Sequence, residues 1–286
     1  MKKLYLFLAA LLLVAGCKKN DNVQVPVRIH VNDFTITQDT LPSKDGIPEY
    51  TGVKAVTLAF YKADNTEQYK VTQFRSDPTT YTTFGDFSLS LPMGSYTMVV
   101  LGYGLNDGEP AITLTSPTTA TFGNYPARET FVATQAVNIA NTNAVNLSAT
   151  LNRVIAKLRV ESTDYRTENA QSVRVTVSAG GKAFNPTTGL ATTNTGFNNV
   201  LTLANEVGTV SNINTYLFLA TDEQTMTVTI DVLDALEASV SHKVIENVPL
   251  QRNRQTKMVG SIYSASSSTD FEINTDWIED ELVVPF

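Results

Sequence analysis

The chain of 286 residues contains one cysteine, two histidines and one tryptophan. A lone cysteine, Cys17, has no partner for an intrachain disulfide. With only His30 and His242 beside it, the chain lacks the ligands of a structural zinc site and the choice of bases a hydrolase triad needs. Both histidines sit in alternating strand-like text and are expected to face solvent. Charged residues make up only 17% of the chain and the net charge is −7, with no extended basic cluster, which argues against nucleic acid as a partner. After residue 14 no apolar run approaches the roughly 20 residues of a membrane helix. No Gly-rich phosphate loop follows a strand. LNDGEP (105–110) lacks the Asp spacing of an EF-hand and reads as a hairpin turn. The carboxylates Asp276, Glu279, Asp280 and Glu281 read as a solvated acidic end rather than a glycosidase pair. The expectation is a chain without enzymatic activity, cofactor or metal.

What is present begins at the N-terminus. MKKLYLFLAALLLVAG has two lysines, an apolar run from Leu4 to Val14, and small residues, the layout of a secretory signal. Val14-Ala15-Gly16-Cys17 resembles the bacterial lipobox. There the cysteine thiol accepts diacylglycerol and the signal is cut between Gly16 and Cys17. Residues 1–16 are therefore expected to be a lipoprotein signal peptide, with residues 17–26 a lipidated tether. Several acyl chains on one cysteine hold a bilayer firmly, where one alone would not. Lys18, not Asp, follows the cysteine, which directs the expectation to the outer membrane, with the chain anchored there and exposed at the surface.

The apolar period is two throughout. VKAVTLAFYK (53–62), FSLSLPMGSYTMVVLGYG (87–104), VRVTVSAGGKAF (173–184) and TMTVTIDVLD (225–234) alternate β-branched and aromatic residues between Gly, Pro and Asn turns. The short helix-like words LDALEA and TENAQS lack caps and length. The fold class is all-β, antiparallel sandwich. A change of texture near 146–151, from Thr- and Asn-rich text to RVIAKLRVES, places an N-terminal sandwich at 27–148 and a C-terminal one at 149–286. No tandem sequence repeat is visible.

Two segments carry a family resemblance. LNRVIAKLRV (151–160) supplies Arg153, Ala156 and Lys157. NVPLQRNRQTKMVGSIYS (247–264) supplies Pro249, Arg252, Asn253, Thr256 and Gly260, and FEINTDW ends in Trp277. With the lipobox, these resemble the fimbrillin-like superfamily of Bacteroidetes, the subunits and anchors of type V pili. The resemblance implies two tandem transthyretin-like sandwiches and a role in assembly and cell adhesion. In stalk members a protease removes the first strand, and a neighbouring subunit inserts a strand into the slot; anchor members keep that strand and their lipid. Here the removable strand would be Val23–Ile36. Candidate processing sites are Lys44, in the loop-like LPSKDGIPEY, and Arg28, which lies within the strand itself. The absence of an arginine just after the strand favours an anchor or accessory role. Partners are then other pilus subunits, by donor-strand insertion, and the outer membrane through Cys17. Arg153, Lys157, Arg252 and Asn253 are read as fold determinants. ELVVPF (281–286) could enter a neighbour or close its own sandwich. Asp39-Thr40-Leu41 matches a short O-glycosylation pattern. The rival reading is a non-polymerising surface lipoprotein that binds glycan or a host ligand through Tyr81, Phe84, Tyr103 and Tyr125.

Overall fold

A computed structural model describes residues 23–35, 52–77, 79–80, 83–264 and 271–274. Gly16, Cys17, Asp39–Leu41, Lys44, Tyr81 and Trp277 lie outside the described residues, as do the four carboxylates of the C-terminal end and ELVVPF.

The first half forms β1 (Gln24–Thr35), β2 (Ala55–Tyr61), β3 (Glu67–Phe74), β4 (Asp86–Pro92), β5 (Gly94–Tyr103), β6 (Thr113–Ser116), β7 (Thr119–Thr121), β8 (Thr130–Ile139) and β9 (Val145–Arg153). The second half forms β10 (Ala156–Ser162), β11 (Ser172–Val177), β12 (Ala183–Asn185), β13 (Leu190–Ala191), β14 (Phe197–Thr202), β15 (Asn212–Leu217), β16 (Glu223–Leu233), β17 (Ser239–Gln251), β18 (Gln255–Gly260) and β19 (Glu272–Asn274). No helix occurs among the described residues. The all-β fold class read from the alternation stands, as two β-sandwiches in tandem.

In the first sandwich the order β3-β2-β5-β8 forms one layer and β9-β1-β4 the other. The layers are continuous only where Phe131 faces Arg153 and Val132 faces Asn152. Between them lies a core of Val25, Val27, Ile29, Leu58, Phe60, Met98, Val100, Phe131 and Leu151. The second sandwich stacks β14-β11-β16-β17 on β15-β10-β18-β19 over Leu158, Val160, Val175, Val228, Ile230, Val248 and Met258.

The two sandwiches repeat one plan. β1 lies parallel to β9 and antiparallel to β4; β10 lies parallel to β18 and antiparallel to β15. In the opposing layers β2, flanked by β3 and β5, corresponds to β11, flanked by β14 and β16; β5 with β8 corresponds to β16 with β17. The correspondence keeps chain order. It was invisible as a sequence repeat because the pattern demands only apolar residues at alternate positions, not particular ones.

The additions to the plan build the joint. β6-β7 from the first half and β12-β13 from the second form one small sheet, in which Phe184 faces Ala120 and Ala183 faces Thr121. It covers the outer side of the β2–β5 layer, and a third apolar cluster fills the space with Tyr61, Leu101, Tyr103, Phe122, Ile155, Phe184 and Phe218. β2 is thus buried on both faces along its whole length. Phe184 and Phe218 stack with centroids 4.1 Å apart, and Phe122 lies 6.4 Å from Phe218. Burial and the nearby Glu67 push the Tyr61 phenol up to about 12, while its hydroxyl donates to the Leu114 carbonyl at 3.3 Å.

The boundaries differ from the sequence reading at two places. The expected break between 148 and 149 falls inside β9, which keeps pairing with β1 as far as Asn152; the chain enters the second sandwich at Val154–Ile155. The weak alternation of VNLSATLNR concealed a full strand because Thr, Asn and Ser occupy its solvent side. β1 begins at Gln24, so the end of the segment read as tether is already strand.

Candidate functional site: the first strand and its slot

β1 is the middle strand of its layer. Its alternation decides its orientation: Val25, Val27, Ile29 and Val31 are at most 2% exposed, while Gln24, Pro26, Arg28 and His30 face outward. On one side β4 runs antiparallel, setting Leu91 beside Val25, Leu89 beside Val27 and Phe87 beside Ile29. On the other, β9 runs parallel, setting Val145 beside Val27, Leu147 beside Ile29 and Ala149 beside Val31. The inward side chains thus form apolar rows crossing three strands, on a floor of Leu58, Phe60, Met98 and Val100 from the opposing layer. At the end of the β4 ladder the Val31 amide donates to the Gly85 carbonyl at 3.1 Å. Gly85 has φ +94° and no side chain, and a Cβ there would lie 3.4 Å from that of Val31.

Taken away, β1 would leave two unpaired strand edges and an apolar trough about four side chains long. That is a receptor for an extended strand with apolar residues at every second position. Such a receptor holds its occupant by burial. At about 1.5–3 kcal/mol per buried aliphatic side chain, four contribute roughly 6–12 kcal/mol, comparable to the whole stability of an ordinary domain.

On the outer face His30 Nδ1 pairs with the Asp86 carboxylate, its direct cross-strand neighbour on β4. His242 stands in the same relation to Asp231 across β16 and β17, at 2.6 Å. Both histidines face solvent, as their alternation indicated; their aspartate partners were not legible, since strand pairing cannot be read from local text. Arg28 also faces outward, but its backbone is paired on both sides, with Ser88 and Asn146.

The other residues singled out in the sequence serve the joint and the core. Arg153 and Glu129 form a buried ion pair at 2.7 Å, and the Arg153 guanidinium lies 5.3 Å from the Phe131 ring centre. Lys157 is buried, its ammonium 5.9 Å from the Tyr216 ring. Arg252 pairs with Asp222 at 2.8 Å and donates to the Thr188 carbonyl. Asn253 takes φ +59° in the β17–β18 turn, a conformation asparagine tolerates. Thr256 donates to the Pro249 carbonyl at 2.6 Å, and Gly260 leaves room for the Phe271 ring. The LNDGEP loop is a turn: the Glu109 carboxylate receives the Asn106 amide and Arg128 Nη2. Burial works against its ionisation, but these donors outweigh it and hold the carboxyl below its usual range. No group of three or more metal-ligating side chains occurs among the described residues.

Among the described residues the aromatic platform of the rival reading does not assemble. Tyr103 is fully buried in the joint cluster and its hydroxyl bonds to Thr57 at 3.0 Å. Phe84 is half-buried under the Arg75 guanidinium, 4.4 Å from its ring centre, and only Tyr125 of the described members is exposed. The period of two could not separate these cases, because the β2–β5 layer is covered on both sides.

One family model, the family of unknown function DUF6562, matches residues 23–284, from the first residue before β1 past the last strand. The chain belongs to this family. Among curated proteins no sequence matches. Among solved structures, a candidate adhesin from Bacteroides ovatus aligns with TM-score 0.54 at 12% identity, over 90% of this chain and 97% of that one. The fimbrial anchor protein Mfa2 from Porphyromonas gingivalis aligns with TM-score 0.46 at 12% identity, over 82% and 90%. At such identity the likeness concerns the fold: this DUF6562 chain has the two-sandwich architecture that the fimbrillin-like resemblance implied.

Proposed function

We propose that this chain is a lipid-anchored cell-surface protein, an anchor or accessory component of a fimbria-like adhesive assembly, and that the β1 slot is where it joins a neighbouring subunit by strand exchange. The observation that carries the reading is the position of β1. It is bonded on both sides, buries four side chains in the core, and reaches the next strand only through residues 36–54. Its departure would break two ladders, one with β9 and the one that holds β4 in the layer, and no pairing among the other strands.

Binding, not catalysis, is then the work of the molecule. The lipid on Cys17 would hold the chain at the outer membrane, with the residues between Cys17 and Gln24 as the spacer. Retention of β1 is favoured over its removal: Arg28 is held in two ladders, where a protease cannot draw it into an extended cleft. The next arginine in the chain is Arg75, whose Nε donates to the Val53 carbonyl within the fold. That fits an anchor, in which Lys44 would not be a processing site. The fimbrial role of one structural neighbour and the adhesin name of another agree with this reading, as does the resemblance in the two quoted segments.

The test uses a chain with a specific protease site inserted between residues 36 and 51. After cleavage, an excess of labelled peptide Val23–Thr35 should replace the resident strand, and the same peptide carrying Val27→Asp and Ile29→Asp should not. Equal uptake of both peptides, or none by the cleaved chain after the resident strand is released in mild denaturant, would sink the proposal. Mass spectrometry of the mature N-terminus from isolated outer membranes checks the anchor role: acylated Cys17 with β1 attached is expected, and an N-terminus at Asp45 or Ile29 would contradict it.

A further inference from the structure

Where β8 and β9 part, a cleft of about 620 Å³ opens between the two sandwiches. The last couple paired across those strands is Val132 with Asn152. One step further along the same face stand Thr134 and Thr150, past the end of the ladder, and with Asn152 they form one wall of the cleft. Ala133 and Leu151, next to them in sequence, turn into the core of the first sandwich instead.

The opposite wall belongs to the second half and is built around one guanidinium. Arg252 Nη2 meets the Asp222 carboxylate at 2.8 Å, and Nη1 donates to the Thr188 carbonyl at 2.8 Å. The Arg252 amide donates to the Asp222 carbonyl at 2.8 Å, which fixes the base of the side chain as well. Gly189 allows the close packing behind it. Its φ is +73°, and a Cβ there would lie 2.7 Å from Val154 Cγ1 and 3.0 Å from Arg252 Nη1. Gln251 lines the cleft beside this anchored group.

The chemistry of the walls selects a class of ligand. Both arginines that line the cleft are matched by carboxylates, Arg252 by Asp222 and Arg153 by Glu129, so no net charge is offered to an anion or a cation. The side chains of Thr134, Thr150, Asn152 and Gln251 have no hydrogen-bond partner among the described residues. Hydroxyls and amides of this kind both donate and accept. The volume falls within the range of about 300–1,000 Å³ usual for small-molecule sites, which favour the joints between domains. Most such sites are apolar, and this one is not. Its occupant must be polar, uncharged, and able to donate and accept along its length.

We propose that the cleft binds a short neutral oligosaccharide. Arg252 and Asp222 set a donor beside an acceptor, the arrangement that meets two adjacent hydroxyls of one sugar ring. Thr134, Thr150 and Asn152 take hydroxyls on the other side, so the ligand bridges the two sandwiches. No aromatic ring lines the cleft, and each hydrogen bond to the ligand replaces one to water, so binding at a single cleft is weak and specific in geometry. The site lies on the outer face of the β8–β9 corner and does not rest on strand exchange at the β1 slot.

The test is electrophoresis of the full chain in native gels that contain yeast mannan, galactomannan, xyloglucan, amylopectin or, as the anionic control, polygalacturonate. At least one neutral polymer should retard the chain, with a retardation unchanged by 0.5 M salt, and polygalacturonate should not. Thr134→Val with Asn152→Ala should weaken that retardation at least fivefold by removing two ligand contacts. Thr150→Trp should abolish it by filling the opening. Urea midpoints equal to that of the unaltered chain show that both variants remain folded. Retardation by none of the neutral polymers would overturn the proposal, as would full retardation of the two variants. Salt-sensitive retardation by polygalacturonate alone would also overturn it, by assigning the cleft to an anion. None of these results bears on peptide exchange at β1, which is read from the labelled strand.

Discussion

Truncating Phe218 to alanine tests whether the joint makes the two sandwiches one cooperative unit. Phe218 is fully buried at the end of β15, stacks on Phe184 at 4.1 Å and reaches Phe122 of the first half at 6.4 Å. Removing a buried phenyl costs about 3–5 kcal/mol, and the lost stacking sets the expectation at the upper end. The cavity would sit where the first half, the second half and the mixed β6-β7-β12-β13 sheet meet, so the loss falls on coupling between sandwiches. At about 2–4 °C of Tm for each kcal/mol, the fall is roughly 10–20 °C for the weaker sandwich. The expected calorimetric trace is one transition for the unaltered chain and two for Phe218→Ala, with the same split in urea followed by two probes. A single transition in the variant, shifted by less than about 2 °C, would refute the idea that the aromatic stack couples the halves.

Three other outcomes are expected. Ile29→Ala, at a fully packed position of β1, should destabilise the first sandwich by about 2–4 kcal/mol in urea and speed release of β1 after cleavage of the following loop. Asp164 is partly buried, which opposes its charge, but its carboxylate receives the Ser261 hydroxyl and the amides of Ile262, Tyr263 and Ser264 at 2.8–2.9 Å, so its folded-state value lies below that of a free aspartate. Its stabilisation is therefore fully present above about pH 4 and is lost as the pH falls through the lowered folded value. Asp164→Asn should cost about 2 kcal/mol at pH 7 and show a smaller further loss between pH 4 and 2 than the unaltered chain, measured by urea midpoints. Gly260→Ala places a Cβ 2.6 Å from Phe271 Cδ1, so Phe271 must move. Amide exchange of Glu272–Asn274 should accelerate more than tenfold while β10 and β15 keep their protection.

The alternation of residues located several of the long strands, though not β8 or β9, and could not say which strands pair. FSLSLP and SYTMVVLGY sit either side of Pro92-Met93-Gly94, yet β4 belongs to the layer of β1 and β5 to that of β2 and β8; the turn carries the chain across the sandwich. The mixed sheet was hidden because β6, β7, β12 and β13 are short, and the β7–β12 pairing that joins the two hairpins spans more than sixty residues of sequence. Arg153 stood out by its motif, but its partner Glu129 lies in the ordinary-looking text PARETF. At the slot, the inward face of β1 was legible from VQVPVRIHV; its walls, Phe87 to Leu91 and Val145 to Ala149, required the register.

The repeated plan also bears on why the proposed exchange is assigned to the first sandwich alone. β10 occupies in the second sandwich the place of β1 in the first, an inner strand parallel to β18 and antiparallel to β15, with Leu158 and Val160 buried as Val27 and Ile29 are. Yet β10 follows β9 after only Val154 and Ile155, both buried in the joint, and Asn253 donates its amide to the Ile155 carbonyl. Withdrawing β10 would tear the joint and the turn of β17–β18 with it. β1 is the first strand of the described residues and is separated from β2 by residues 36–54, so its departure breaks its own two ladders, one of them the only ladder of β4, and its core contacts. One position in a duplicated layout is thus expendable in the first copy and indispensable in the second. A cleavage site placed between β10 and β11 should accordingly yield no exchange with a β10 peptide under conditions in which the β1 peptide exchanges; exchange at both sites alike would remove the topological basis for assigning the slot.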